Sequence, residues 1–298
     1  MQHSYPKVTV GVCVRNCAET LHEAITSILE QTYPHKLMEI IFVDDGSVDE
    51  TLNIIKDLAL KAQAQGFEIK IFHHDWKGLG YSRNLVVKNA KGKYIIWVDG
   101  DMILTRDFVK KQASYMEQNP NVAIGKGKYG FRPQGKLVSD LESLEFITTN
   151  FRGPEKDLTP LGTGGAIYRV EAVRQVGGFD ERLTGAGEDV DIEYRIRKAG
   201  WSLAITSAIF FECRRKTWKD LWREYFWHGE GGSRLHKKKV ATKLWMFWPP
   251  LTLFTEFSRV VLAYKFTRHK IAFLLPFHYL YKRVAWVFGF INGLVKNG

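Results

Sequence analysis

The sequence predicts an α/β protein built on a mostly parallel, twisted sheet with helices on both faces. Three observations predict it. Short runs rich in β-branched residues alternate with helical patterns from residue 7 to residue 101. Two of the predicted strands run directly into acidic clusters, Asp44-Asp45 and Asp99-Gly100-Asp101. The composition is that of a globular chain: 298 residues, 45% hydrophobic and 25% charged. Alternating strands and helices imply parallel pairing with helices covering the sheet, and this length allows one or two domains.

Lys7–Val14 carries VTVGVCV and reads as a buried strand. Leu21, Ala24, Ile25, Ile28 and Leu29 then recur at helical spacing, and Pro34 stops the pattern. Met38–Val43 is a second strand. Ser47 and Glu50 have the spacing of a capping box, opening a helix with Leu52, Ile55, Leu58 and Ala59 on one face. Glu68–Phe72 is a third strand, Ser82–Ala90 a helix, and Tyr94–Val98 a fourth strand. The middle is less regular. Gly162–Gly165 is glycine-rich, Ala166–Val170 reads as a strand and Glu171–Val176 as a short helix. Gly177–Glu188 is a loop delivering Glu188, Asp189 and Asp191 to the start of a helix, where its dipole favours carboxylates by about 0.3–1 kcal/mol each. Trp201–Thr206 is a last strand, and no internal repeat is present.

Charge and cysteine usage narrow the class. The net charge of +11 belongs to the C-terminal third: residues 214–298 hold 17 Lys+Arg against 4 Asp+Glu, and the first 213 residues hold 26 against 28. Cys13, Cys17 and Cys213 have no metal-ligand spacing and form no disulfide framework, which fits a reducing compartment. Residues 1–20 lack a basic start followed by an apolar run, so no signal peptide is expected.

Ligands of open α/β sheets bind beyond the C-terminal strand ends, where the acidic clusters fall. Asp99-Gly100-Asp101 is a D-x-D pattern at the end of the strand YIIWV. Loss of a diphosphate leaving group concentrates negative charge, which a carboxylate-held divalent cation absorbs. Mg²⁺ and Mn²⁺ suit one or two carboxylates with phosphate and water completing the shell. A solvated turn is the bland alternative. Asp44-Asp45-Gly46-Ser47 reads either as a turn with a helix cap or as a carboxylate placed to accept the N3–H of a uracil-like base. Glu188-Asp189 reads as helix capping or as a base for an acceptor hydroxyl.

Seven segments together resemble family 2 glycosyltransferases in order and spacing. They are VTVGVCVRN, Gln31–Pro34, Val43–Thr51, GYSRN (Gly80–Asn84), Gly92–Asp101, GGFDE (Gly177–Glu181) and Gly187–Trp201, spanning roughly residues 7–206. The resemblance implies a GT-A fold, a nucleotide-sugar donor and inversion at the sugar carbon. It implies that Asp45, with Asp44 beside it, binds the base, that Asp99 lies near the ribose and metal, and that Asp101 is the direct ligand of Mn²⁺ or Mg²⁺. Asp189 resembles the catalytic base, with Glu188 as the other member of its pair. Arg83 and Arg15 are the basic candidates for nucleotide contact. One departure stands out: where the family's first strand ends in Pro-Thr-aromatic-Asn, this chain has Cys13-Val14-Arg15-Asn16. Uridine remains the expected base.

The C-terminal third is expected to form amphipathic, interfacial helices. Trp218, Leu221, Trp222, Tyr225 and Phe226 share one helical face, followed by the glycine-rich His228–Arg234. His228 and Arg234 are candidates for a turn closing over a diphosphate, a helix C-cap and linker being the alternative. Leu244–Thr255, Ile271–Tyr281 and Val284–Val295 are uncharged runs of 12, 11 and 12 residues, short of the about 20 that a spanning helix needs. Of 40 aromatic residues, 19 follow Cys213, interleaved with Lys and Arg. That pattern suits the headgroup region of an anionic membrane. The expected division is a catalytic domain over 1–213 and a membrane-associated helical region over 214–298. The expected place is the cytoplasmic face of a membrane, peripheral or monotopic. The expected acceptor is lipid-linked or a glycolipid. A packed helical subdomain or a dimer interface is the alternative for the tail. Two other functions compete. A nucleotidyltransferase would show a glycine-rich basic loop after the first strand, which Arg15-Asn16-Cys17-Ala18 is not. A nucleic-acid-binding protein would use the basic third, but the apolar runs and acidic clusters disfavour a polyanion.

Overall fold

The computed structural model describes residues 5–151, 160–240 and 257–296. The chain forms two compact units. The first comprises Met1–Lys128, Gly153–Thr184 and Glu188–Glu212; the second comprises Tyr129–Arg152, Gly185–Gly187 and Cys213–Gly298. The second unit thus draws in residues 129–152 and 185–187, which the sequence analysis placed in the stretch 1–213.

The first unit holds an eight-stranded sheet in the order β3-β2-β1-β4-β7-β6-β8-β5. Its strands are β1 (Val8–Val14), β2 (Met38–Asp45), β3 (Glu68–His74), β4 (Tyr94–Trp97), β5 (Met102–Leu104), β6 (Val122–Tyr129), β7 (Ala166–Arg169) and β8 (Ser202–Glu212). β1 pairs in parallel with β2 and β4, and β2 with β3. β7 runs antiparallel to β4 and β6, and β5 to β8. Every residue of β1 and β2 is buried, because helices cover both faces. Those helices are α1 (Ala18–Leu29), α2 (Thr51–Ala64), α3 (Leu79–Asn89), α4 (Phe108–Gln118), α6 (Val170–Gln175) and α7 (Glu188–Lys198). One core cluster runs through Ile41, Val43, Val86, Ile95, Trp97, Tyr168 and Ile192.

Two local expectations change. Ser47 does not cap α2, which begins at Thr51 without a side-chain cap. Its hydroxyl instead donates to Asp44 and accepts the Asn16 N–H at 2.9 Å, tying the loops after β1 and β2 together. The sequence pattern predicts no element over residues 102–151. They form β5, α4, β6 and α5 (Leu137–Thr149).

The second unit is helical: α5, α8 (Trp218–Lys237), α9 (Phe257–Thr267), a short 3₁₀ turn (Lys270–Leu274) and α10 (Leu275–Lys296). The glycine-rich His228–Arg234 is not a turn but lies inside α8. Its glycines serve helix contact. A Cβ on Gly229 would overlap the Trp286 carbonyl, and one on Gly289 would overlap that of Phe226. Trp218 and Trp222 stack edge-on against Tyr281, with centroids 5.0 and 5.4 Å apart. Leu141, Leu144, Val260, Ala263, Leu275 and Tyr279 form the unit's apolar cluster.

Between α5 and α10 lies a buried ionic quartet. Lys282 Nζ donates to Glu142 at 2.6 Å and to Glu145, and the His278 ring nitrogens lie 3.2 and 3.3 Å from the same carboxylates. Burial opposes each charge. Lys282 and His278 nevertheless hold Glu142 and Glu145 below the usual carboxylate range, and the two glutamates raise His278. Opposite charges thus meet within the quartet, where each offsets part of the cost of burying the others.

Candidate active site

The site is assembled at the C-terminal ends of β1, β2 and β4. Parallel register puts Val14 beside Asp44, Asp44 beside His73 and Asp45 beside His74. Asp44 is fully buried and accepts from Ser47 and from His73 Nδ1 at 2.7 Å. Asp45 is 3% exposed and accepts the Lys77 N–H at 2.7 Å and the Gly78 N–H at 2.9 Å. Both carboxylates therefore anchor loops, Asp45 fixing the β3–α3 connection by charge-assisted bonds. Above them Arg15 lies 5.5 Å over the ring of Trp76, a half-exposed side chain that the sequence analysis did not single out.

β4 leads into Asp99-Gly100-Asp101. Thr20 Oγ1 donates to the Gly100 carbonyl at 2.7 Å, so α1 holds the turn in place. Asp99 stays partly open, its side chain 39% exposed, with Arg83 Nη2 4.0 Å away. Asp101 is partly exposed as well, so the turn offers two hard carboxylates that could serve a divalent cation completing its shell with phosphate and water.

Arg83, on α3, is the hub. It is 4% exposed, pairs with Glu188 at the start of α7, and lies 5.9 Å over Trp97 and 5.7 Å over Phe179. Burial alone would lower its pKa, but Glu188, Asp99 and Asp189 raise it above the ordinary arginine value. Burial pushes Glu188 up to about 7 against the pull of Arg83, and Glu188 Oε2 is buried without a hydrogen-bond partner among the described residues. Asp189, next along α7, is half-buried and accepts the Val190 N–H at 2.8 Å.

A glycine-rich turn joins these stations. A Cβ on Gly162 would lie 3.6 Å from Asp189 Oδ2 and 3.9 Å from Lys126 Nζ, and one on Gly164 would lie 2.5 Å from Asp99 Oδ2. Gly162–Gly165 thus runs from the Asp189 carboxylate to the Asp99 carboxylate. Sequence reasoning missed Lys126 and Glu193, which hold this turn, because each looks like an ordinary surface charge. Both are under 5% exposed.

The structure therefore brings Arg15, Asp44, Asp45, Arg83, Asp99, Asp101, Glu188 and Asp189 into the first unit, with Arg83 linking Asp99 to Glu188. His228 and Arg234 belong to the second unit. They are residues of α8 rather than of a closing loop, since Gly229, Gly231 and Gly232 are used for packing. His228 faces Glu224 at 3.9 Å, and the Arg234 guanidinium lies against the Gly185 backbone.

The family model described as glycosyl transferase family 2 matches residues 9–177, and that of glycosyl transferase family group 2 matches residues 94–295. The putative glycosyltransferase EpsE of Bacillus subtilis is 32% identical over 206 residues, covering 67% of this chain and 69% of that protein. The cholesterol galactosyltransferase of Borreliella burgdorferi is 42% identical over 99 residues, 33% of this chain and 26% of that one. Three longer curated glycosyltransferases are matched over only 22%, 22% and 27% of their length. Among solved structures, the mannosyltransferase PcManGT from Pyrobaculum calidifontis, in complex with GDP-Man and Mn²⁺, superposes with a TM-score of 0.69. It is 17% identical, and the match covers 99% of this chain and 89% of that one. The likeness establishes the GT-A fold.

Proposed function

This chain belongs to glycosyl transferase family 2, and from that premise we propose that it moves a sugar from a UDP-sugar to a hydroxyl or phosphate of a lipid-linked acceptor, with inversion. The observation that carries the reading is the turn Gly162–Gly165, which has the Asp189 carboxylate at one end and Asp99 at the other. An inverting displacement needs such a pair of stations: a base beside the acceptor, and a charge sink beside the leaving diphosphate.

In this reading Asp99 and Asp101 hold Mn²⁺ or Mg²⁺, which supplies the positive charge that the departing diphosphate requires. PcManGT, solved with Mn²⁺, supports use of a divalent ion. Asp189 takes the acceptor proton, leaving Glu188 to the Arg83 pair. Arg83 bridges Glu188 and Asp99 as a fixed cation between two carboxylates. Asp45 serves nucleotide binding by fixing the Lys77–Gly78 backbone, and Arg15 with Trp76 borders the same strand ends.

A lipid acceptor is supported by two observations. The Borreliella burgdorferi relative is a cholesterol galactosyltransferase. In the second unit, α10 is apolar on its outer face: Phe277, Phe288, Ile291 and Val295 are 68%, 57%, 53% and 76% exposed. Residues 257–296 contain seven Lys or Arg and no Asp or Glu. An apolar face among cations suits insertion among anionic headgroups. No helix among the described residues, which exclude Leu244–Thr255, is long and apolar enough to cross a membrane. The association proposed here is peripheral or monotopic, on the cytoplasmic face.

A donor screen tests the reading. UDP-sugars and GDP-mannose are incubated with Mn²⁺ or Mg²⁺ and vesicles containing a polyprenyl phosphate or cholesterol, and release of nucleoside diphosphate is measured. Metal-dependent UDP release stimulated by the vesicles is the expected result. Preference for GDP-mannose would correct the base, and indifference to vesicles would remove the lipid acceptor.

A further inference from the structure

We propose that Glu193 is a positioning residue for the acceptor: with Lys126 opposite, it clamps the Leu161–Gly165 turn so that Gly162 and Gly164 wall the space between Asp189 and Asp99. The inference rests on the reading of Asp189 as the base.

Glu193 stands four residues after Asp189 on α7, so the two share a face of the helix. Its carboxylate is used on both oxygens. Oε1 accepts the Gly162 N–H at 2.7 Å and Oε2 the Leu161 N–H at 2.9 Å. From the other side Lys126 Nζ donates to the Gly164 carbonyl, and Gln112 Nε2 donates to the Gly165 carbonyl at 3.0 Å. The Gly165 N–H closes the turn on the Trp97 carbonyl at 2.9 Å. Glu193 and Lys126 thus grip the two ends of one short turn, both side chains buried.

Such a grip would be superfluous for a connecting loop, which could satisfy its peptides with water. What it fixes is a surface without side chains. Gly162 has φ +72°, and a Cβ on Gly164 would collide with Asp99. The acceptor oxygen must approach Asp189 past this wall. Geometry of this kind is sensitive: a displacement of about 1 Å costs on the order of 100-fold in rate. Glutamine in place of Glu193 keeps the shape but turns an N–H₂ toward one of the two peptide N–H groups, so one bond is lost and two donors face each other.

The test compares Glu193→Gln, Lys126→Met and Asp189→Asn with the wild-type chain. Amide exchange of the peptide covering 160–165 is followed by mass spectrometry, UDP–Mn²⁺ affinity by calorimetry, and acceptor KM and kcat with polyprenyl phosphate vesicles. For Glu193→Gln we expect exchange at Leu161 and Gly162 at least tenfold faster, acceptor KM raised at least tenfold and UDP–Mn²⁺ affinity within twofold. Lys126→Met, which loosens the turn from the other side, should show the same split. An unchanged acceptor KM in either variant overturns the proposal, as does a loss of UDP affinity in step with turnover. If Asp189→Asn keeps turnover, the base reading fails. If Asp189→Asn is inactive while Glu193→Gln is normal, the clamp alone fails.

Discussion

Replacing Arg83 by Met should destabilise the first unit by an amount that grows with pH. Arg83 is buried between Glu188 and Asp99, and truncating one partner of a buried pair typically costs about 3–5 kcal/mol because the other charge is stranded. Here the stranded group has an escape. Burial already lifts Glu188 from its ordinary value to about 7, so the folded state binds its proton more tightly than the unfolded chain does. Its contribution to stability is thus lost as pH rises through about 7. Without Arg83 the carboxyl titrates higher still. Below pH 7 Glu188 is protonated in both proteins, and the variant loses little beyond hydrogen bonds and packing. Above pH 7 the wild type holds a paired carboxylate while the variant must keep its proton, and the gap widens by about 1.4 kcal/mol per pH unit. Between pH 6 and pH 8 the difference in unfolding free energy should therefore grow by about 1–2 kcal/mol. Urea unfolding followed by fluorescence at the two pH values reads it. Equal destabilisation at both would show that Glu188 does not take up the proton and would refute the reasoning.

Asp101→Ala should abolish transfer and most metal-dependent donor binding, since a hard oxygen ligand is removed where leaving-group charge develops; near-normal turnover, or activity indifferent to chelators, would remove the metal assignment. Asp189→Asn should keep UDP affinity by calorimetry and lose about 10²–10⁴-fold in kcat, with a greater loss in Glu188→Gln reassigning the base. Asp45→Ala should weaken UDP binding by freeing Lys77 and Gly78, at about 1.5–3 kcal/mol for charge-assisted bonds; unchanged UDP affinity would refute it. Phe277→Glu with Ile291→Glu should abolish flotation with anionic liposomes while leaving UDP binding intact, and flotation retained by the double variant would withdraw the membrane face.

What the sequence made legible was whatever has a local period or a local chemical need. β1, β2, β3 and β4 announced themselves by β-branched runs, and the acidic pairs marked their C-terminal ends because those ends are where a parallel sheet leaves space. The stretch after Asp101 was opaque for the opposite reason. β5 has three residues and β6 carries Gly125 and Gly127, so neither shows an alternating pattern, and both exist through pairing with distant β8 and β7. α5 was hidden by its charges. Glu142 and Glu145 look like an exposed face until Lys282 and His278, well over 100 residues later, bury them.

The same limit governs the site. Asp99, Asp101, Glu188 and Asp189 could be singled out as candidates because each sits in a motif whose chemistry is local. Glu193 and Lys126 were not, because their roles are defined by peptides of a turn remote in sequence. The glycines of α8 misled for a related reason. Glycine after an amphipathic stretch usually means that a helix has ended. Gly229 and Gly232 instead let α8 meet the backbone and the indole of Trp286 on α10, and close helix contact outweighs the about 1 kcal/mol that each glycine costs a helix. That trade explains why substitution, not truncation, is the right probe of the apolar tail. The inner face of α10 carries Leu275, His278, Tyr279 and Trp286, all buried in the second unit, so removing the helix would strip α5 and α8 of their core. Charges placed at Phe277 and Ile291, which are exposed and outside that core, alter only the face proposed to meet a membrane.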